Sequence, residues 1–418
     1  MKVKGSNYTI EQLDLSVKPE KIDEKYKYLY EYSTVDEGSG YLGHPDSVLL
    51  KDGRILTVYP QGHGKGAILS AISDDGGLSY TDKLKRTPES WKKSRETPTV
   101  YRLEFSDRPD RLILISGNPR WGMEPTTGGF NCSVSTNEGK SWSEFKLFYS
   151  KNDRYICIPI VAMASLTRLK ENGVFVDKWM GLFHDSVFHN YKTILTLDAN
   201  DVPHWSKPVR YFRKYRRIEK KSNMCEVECV RSDKGQGNEL CLITRSNSKK
   251  VNTMLSFSSD EGKTWSAPVY APSSLNGERH KAEYLPDGRL FITFRSIERD
   301  EEKIKKYSSA KSRPWYSEGW VAWVGTFDDL KNGTEGQYRI KIAHTYLPQQ
   351  NAPETEANAD TGYCGNVILN DGTVVTSTYG IFSPDKDENG NRKTFIVSKR
   401  INLHDTDELI EMLKGQKL

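Results

Sequence analysis

Residues 258–265 read Ser-Ser-Asp-Glu-Gly-Lys-Thr-Trp, and the chain repeats their frame twice. Ser73-Asp-Asp-Gly-Gly-Leu-Ser-Tyr80 and Ser135-Thr-Asn-Glu-Gly-Lys-Ser-Trp142 share one pattern: Ser, any residue, Asp or Asn, any residue, Gly, any residue, Ser or Thr, then an aromatic. The Asp or Asn and the hydroxyls can bond the turn's own amides, the glycine permits positive φ, and the aromatic can pack between neighbouring sheets. Repetition at wide spacing announces a repeated structural unit before it announces chemistry.

A second repeat shows what that unit is. Six times an apolar run meets a tight turn and a second apolar run follows, over residues 47–58, 99–115, 161–183, 227–244, 282–294 and 366–377. Three of these turn through Asp-Gly, at 52–53, 287–288 and 371–372, the strongest short-range hairpin signal. The octets lie downstream of the first, second and fourth hairpins, where a third strand would turn into a fourth. After the third hairpin, Leu197 to Trp205 reads as an eroded copy. The pattern predicts an all-β chain whose residues 41–402 form a six-bladed β-propeller. Residues 1–40 are expected as an N-terminal extension able to supply a ring-closing strand, and 403–418 as a short C-terminal helix.

Composition narrows the function. The 418 residues carry 61 basic and 56 acidic side chains, a net charge of +5, without a nucleic-acid-binding motif. The basic run Arg213 to Arg217 reads as a solvated loop. No apolar stretch is long enough to span a membrane, and the start, Met1-Lys-Val-Lys-Gly-Ser, lacks the apolar run of a secretory leader. That start fits a cytoplasmic chain or a processed secreted one. The six cysteines sit in apolar segments, as buried thiols do, and no cluster shows metal-ligand spacing. Neither a metal nor another cofactor is expected.

In a propeller, the start of each innermost strand and the end of the next strand share one face of the ring. Reading those two points in every hairpin collects the chemistry. Blade one offers His44, Asp46 and His63; blade two Arg95, Glu96, Asn118 and Arg120; blade three Tyr155, His184 and Asp185. Blade four offers Glu226 and Arg245, blade five Arg279, His280 and Arg295, and blade six Tyr363 and Tyr379. Packing alone does not select arginine at several strand ends. Converging guanidinium groups repel unless an anion compensates them, from the ligand or from neighbouring carboxylates. A site accepting a carboxylate is the expectation, with His44, Arg95, Arg120 and His280 beside it.

With its six hairpins, its octets and this order of polar groups, the chain resembles the sialidase (neuraminidase) superfamily, whose octets are called Asp boxes or BNR repeats. The resemblance covers residue 41 to about 400. It implies a tyrosine nucleophile, Tyr363, activated by Glu226, and a carboxylate clamp from Arg245 and Arg279, with Arg295 in support. Tyrosine-nucleophile glycosidases avoid setting a second carboxylate against the substrate's own. Blade one departs from the family. Gly43-His44-Pro45-Asp46 stands where an arginine is usual, and Tyr59-Pro-Gln-Gly-His63 supplies no carboxylate for the acid/base role. His63 becomes the expected general acid, since imidazole titrates near neutrality, with Asp46 as the second candidate. The expected activity is retaining exo-hydrolysis of a terminal acidic sugar from a glycan, with sialic acid as the first guess. Two alternatives are a non-catalytic propeller binding acidic glycans, and a polysaccharide lyase pairing His63 with Tyr363 or Tyr379.

Overall fold

In a computed structural model, the described residues are 8–38, 40–62, 66–81, 87–94, 97–118, 128–150, 159–161, 163–307, 315–343, 360–383, 386–391 and 393–415. The Asp-Gly turns close hairpins in which Gly53, Gly288 and Gly372 stand at φ of 85°, 93° and 83°. Each hairpin is the inner half of one antiparallel sheet, and six such sheets form a β-propeller. The inner strands, in order, are Asp46–Leu49, Pro98–Leu103, Ser165–Glu171, Met224–Arg231, Gly277–Tyr284 and Gly365–Ile368. Blade interiors are aliphatic and aromatic, so the sheets pack face to face around the ring; the contact between blades four and five, for example, buries Ile243, Leu255, Ile292 and Trp323.

The chain's beginning and end share blade six. Ser33–Asp36 pairs antiparallel with Phe395–Ile401 as that sheet's outermost strand, and Glu11–Asp14 adds a parallel strand outside blade five. The buried Lys399 Nζ binds three carbonyl oxygens, of Leu15 at 3.0 Å, Leu29 at 3.1 Å and Ile342 at 2.9 Å. One ammonium thereby ties the N-terminal segment to blades five and six. Lys399→Met leaves those carbonyls unsatisfied in an apolar setting, and should lower unfolding free energy by about 3 kcal/mol. Urea titration of the two proteins checks this.

The octets act as staples between blades. In each, the first serine's Oγ accepts from the glycine amide, at 2.7, 2.9 and 2.9 Å for Gly77, Gly139 and Gly262. Glu138 and Glu261, which precede two of these glycines, also hold positive φ, at 56° and 59°. That conformation swings their carboxylates across to the previous blade. Glu261 takes Arg231 of its own blade at 2.7 and 2.6 Å and the Lys170 amide of blade three at 2.9 Å. Glu138 repeats this with Arg102 and the Lys51 amide of blade one. Trp142 and Trp265 are buried in the same two seams.

Helices lie outside the ring. Leu403–Gly415 buries Leu403, Thr406 and Ile410, and Tyr26 and Tyr28 bond its Glu408 and Asp405 at 2.6 Å each. Among the described residues no helix is long and apolar enough to cross a membrane. Of the cysteines, Cys132, Cys225, Cys229, Cys241 and Cys364 are free thiols, all buried except the half-buried Cys229.

Candidate active site

The inner strands begin on a shared irregularity. His44, Met163, Glu226 and Arg279 hold positive φ, at 42°, 50°, 47° and 53°, and Gly362 stands at 79° just before Tyr363. Pairing registers shift between Cys225 and Val227 and between Glu278 and Lys281. Such bulges re-aim a side chain, and a non-glycine residue held there stores roughly 1–3 kcal/mol of strain.

At this end of the channel lies a cavity of about 440 Å³, lined by His44, His184, Glu226, Arg245, Arg295 and Tyr363 among others. The Tyr363 O–H donates to Glu226 Oε2 at 2.9 Å, and the same phenol oxygen accepts from Arg245 Nη1. Arg245 Nη1 also meets both Glu226 oxygens at 2.8 Å. The Arg295 guanidinium lies over the Tyr363 ring, 4.5 Å from its centroid. Burial raises the Tyr363 phenol well above its ordinary 10, against the pull of Arg245, so it rests neutral. Burial alone would raise Glu226 too, but Arg245 and Arg279 outweigh it and hold the carboxyl down to about 2. The resting pair is therefore a phenol hydrogen-bonded to a carboxylate.

A depressed folded pKa has a defined sign in stability. The unfolded chain binds Glu226's proton near 4.5 and the folded chain only near 2. The stabilisation is complete above pH 4.5 and is lost as pH falls through that window. The stability difference between the wild type and Glu226→Gln should accordingly be largest at neutral pH and shrink between pH 4.5 and pH 2. Denaturant melts at pH 7, 4 and 3 measure it.

The two cavity arginines already have anions. Glu278, 1% exposed at its side chain, sits 3.0 Å from Arg245 Nη2, 3.1 Å from Arg295 Nη1 and 3.3 Å from Lys249 Nζ. Arg295 Nη2 donates to Asp360 Oδ1 at 3.1 Å and to the Tyr379 hydroxyl at 2.8 Å, while its Nε meets the Thr361 carbonyl at 2.7 Å. Tyr379 in turn donates to Asp360, with His44 Nε2 3.3 Å from the same hydroxyl oxygen. Resident carboxylates, rather than an empty anion site, surround Arg245 and Arg295.

Of the residues expected from the sequence, Tyr363, Glu226, Arg245, Arg295 and His44 come together on the cavity wall. Arg279 is buried beside Glu226, its Nη1 without a hydrogen-bond partner among the described residues. Asp46 does not reach the cavity wall. Its carboxylate accepts from the Ser47 and Val100 amides at 3.0 and 2.9 Å and pairs with Lys281 at 3.3 Å, joining blades one, two and five. His280 also turns away: Nε2 meets the Leu275 carbonyl at 3.0 Å, the ring stacks on Phe294, and burial pushes the imidazole down to about 4. Its place at the strand start suggested the site, but the register shift between Glu278 and Lys281 re-aims the side chains there. His63, Arg95 and Arg120, with Glu96 and Tyr155, lie outside the described residues.

Glu278 and Asp360 are the functional groups missed by inspection of strand ends. Glu278 carried a signal, the polar run Glu278-Arg279-His280-Lys281 at the opening of its strand; Asp360, from a connection, carried none. Among the described residues, one trio has metal-type ligands within reach of one another, His404, Asp405 and Glu408 on the C-terminal helix, away from this cavity.

No known family profile matches the chain, and no curated protein matches it. Solved structures do. A protein of unknown function from Dyadobacter fermentans superposes with a TM-score of 0.56 at 15% identity, covering 89% of this chain and 98% of its own. An α-L-arabinofuranosidase from Fusarium graminearum gives 0.54 at 12%, covering 89% and 98%. The NanB sialidase from Streptococcus pneumoniae gives 0.55 at 12%, covering 89% and 70%. The fold is shared with glycoside hydrolases. Likeness at this identity speaks to the propeller; the chemistry has to come from the side chains themselves.

Proposed function

We propose that the protein is a retaining, exo-acting glycoside hydrolase with Tyr363 as nucleophile and Glu226 as its base. The observation that carries this reading is the Tyr363 hydroxyl held 2.9 Å from a buried carboxylate, with a guanidinium on the same oxygen, at the wall of a sugar-sized cavity. As the phenol oxygen attacks the anomeric carbon, its proton passes to Glu226 Oε2, and Arg245 stabilises the developing phenolate. The bond to the aglycone oxygen breaks, and a general acid supplies that oxygen with a proton. His63 keeps that role in the proposal, since Asp46 is engaged elsewhere and Asp185, on the wall, already accepts four hydrogen bonds. Water then attacks the glycosyl-tyrosine and gives its proton to the general acid's conjugate base, which is thereby restored, while Tyr363 leaves, recovering its proton from Glu226.

The cavity favours a neutral terminal sugar. Glu226, Glu278 and Asp360 occupy the edges of Arg245 and Arg295 that a substrate carboxylate would need. The neighbours named for arabinofuranosidase and sialidase activity span both possibilities, and Arg279 Nη1, without a partner among the described residues, is the feature that speaks for an acidic sugar. A panel of aryl glycosides of neutral pentoses and hexoses, uronic acids and nonulosonic acids decides between them. Release from a neutral member, with a glycosyl adduct on the Tyr363 peptide by mass spectrometry, is the expected result. Saturable binding without release over days would point instead to a glycan-binding propeller, and turnover without any adduct would overturn the tyrosine nucleophile.

A further inference from the structure

The blade-three corner of the cavity contains a group that the mechanism leaves unused. His184 ends the strand Val174–His184 and is 4% exposed. Its Nδ1 lies 3.0 Å from the Asp185 carbonyl oxygen. A carbonyl can only accept, so the ring proton sits on Nδ1 and Nε2 presents a lone pair. That Nε2 is buried without a hydrogen-bond partner among the described residues, in a residue lining the cavity with Glu226 and Arg245. Burial also lowers the imidazole's pKa, which keeps it neutral.

The surroundings fix the ring. Phe188, also on the cavity wall, stacks against it at 6.0 Å with planes 11° apart. The turn between them is rigid: Asp185 Oδ1 takes the amides of Val187 and His189 at 3.0 and 2.9 Å, and Oδ2 takes His189 Nδ1 at 3.1 Å and the Tyr191 hydroxyl at 3.2 Å. A pre-positioned, buried acceptor that no described residue satisfies asks for a donor from the ligand.

We propose that His184 is a specificity-determining residue whose Nε2 accepts a hydrogen bond from a ring hydroxyl of the sugar seated against Tyr363. This rests on the reading of the cavity as a glycosidase site. An acceptor-only nitrogen selects a hydroxyl and rejects a deoxy position, a ring ether or a carboxylate placed there, because each leaves the lone pair unmatched.

The test uses the best glycoside from the panel and its singly deoxygenated analogues, with wild type, His184→Phe and His184→Gln. The wild type should disfavour one deoxy analogue by about 10²-fold or more in kcat/KM. His184→Phe should erase most of that preference by losing the parent, and His184→Gln, whose Oε1 can stand near the Nε2 position, should restore part of it. In ¹⁵N-imidazole spectra of the wild type, the Nε2 resonance of His184 should move when the sugar is added, a readout independent of how the variants fold. Unchanged discrimination in His184→Phe, or an unmoved Nε2 signal at saturation, overturns the proposal while leaving the Tyr363 mechanism intact. Loss of discrimination together with full turnover by Tyr363→Phe overturns the mechanism and leaves His184 its role. If no sugar binds the wild type, both fall.

Discussion

Tyr363→Phe is expected to lower kcat/KM on the chosen glycoside by a thousandfold or more, with the fold preserved. The phenylalanine keeps the ring beneath Arg295 and beside His44, and removes only the oxygen shared by Glu226 and Arg245. Glu226 and Arg245 still satisfy each other, so the stability change should stay near 1 kcal/mol. Glu226→Gln, which keeps the size but not the basicity, should cost about 10²–10⁴-fold. Because the two residues act on one proton, the double variant should be scarcely worse than the worse single one. Steady-state kinetics with thermal melts of all three variants measure this, and a Phe variant within tenfold of wild type would end the tyrosine assignment.

The second large effect is on stability. Glu278→Ala withdraws the buried anion shared by Arg245, Arg295 and Lys249. Arg245 keeps Glu226 and Arg295 keeps Asp360, but the side of each that faced Glu278, together with Lys249, then lacks its anion, and breaking a buried ion pair by removing one partner typically costs about 3–5 kcal/mol. Glu278→Gln, which retains an acceptor, should fall between Ala and wild type. Chemical denaturation at neutral pH gives the values. A loss under about 1 kcal/mol for Ala would show that the cations are compensated by other means, and would reopen the case for an acidic sugar.

How far the sequence could be read follows from which rule governs each feature. Turn chemistry is local, so Asp-Gly between alternating apolar residues identified blade hairpins, and the octets at 135–142 and 258–265 lie between a third and a fourth strand, whereas among the described residues the first leads only to an isolated bridge of Thr81 with Ile72. Alternation fails where a bulge intervenes. Position at a strand start placed His280 in the cavity and passed over Glu278, one residue on the other side of Arg279, because the bulge re-aims the side chains there. Asp46 shows a different failure: position at a strand start is legible, but the Lys281 that claims it arrives from four blades further along the chain. Asp360 belongs to a connection whose placement depends on Arg295 and Tyr379, so no periodicity could announce it.

The outermost strand of blade six, Ser33–Asp36, has a consequence for biosynthesis. It leaves the ribosome some 360 residues ahead of its partner Phe395–Ile401. At ordinary elongation rates the gap is on the order of 20–80 s, during which the strand's edge has nothing to pair with and the toroid stands open. Blades one to five can accumulate in order, but blade six is completed only when two segments far apart in sequence meet. Nascent or truncated forms of this chain should therefore be the ones that chaperones hold and that aggregate.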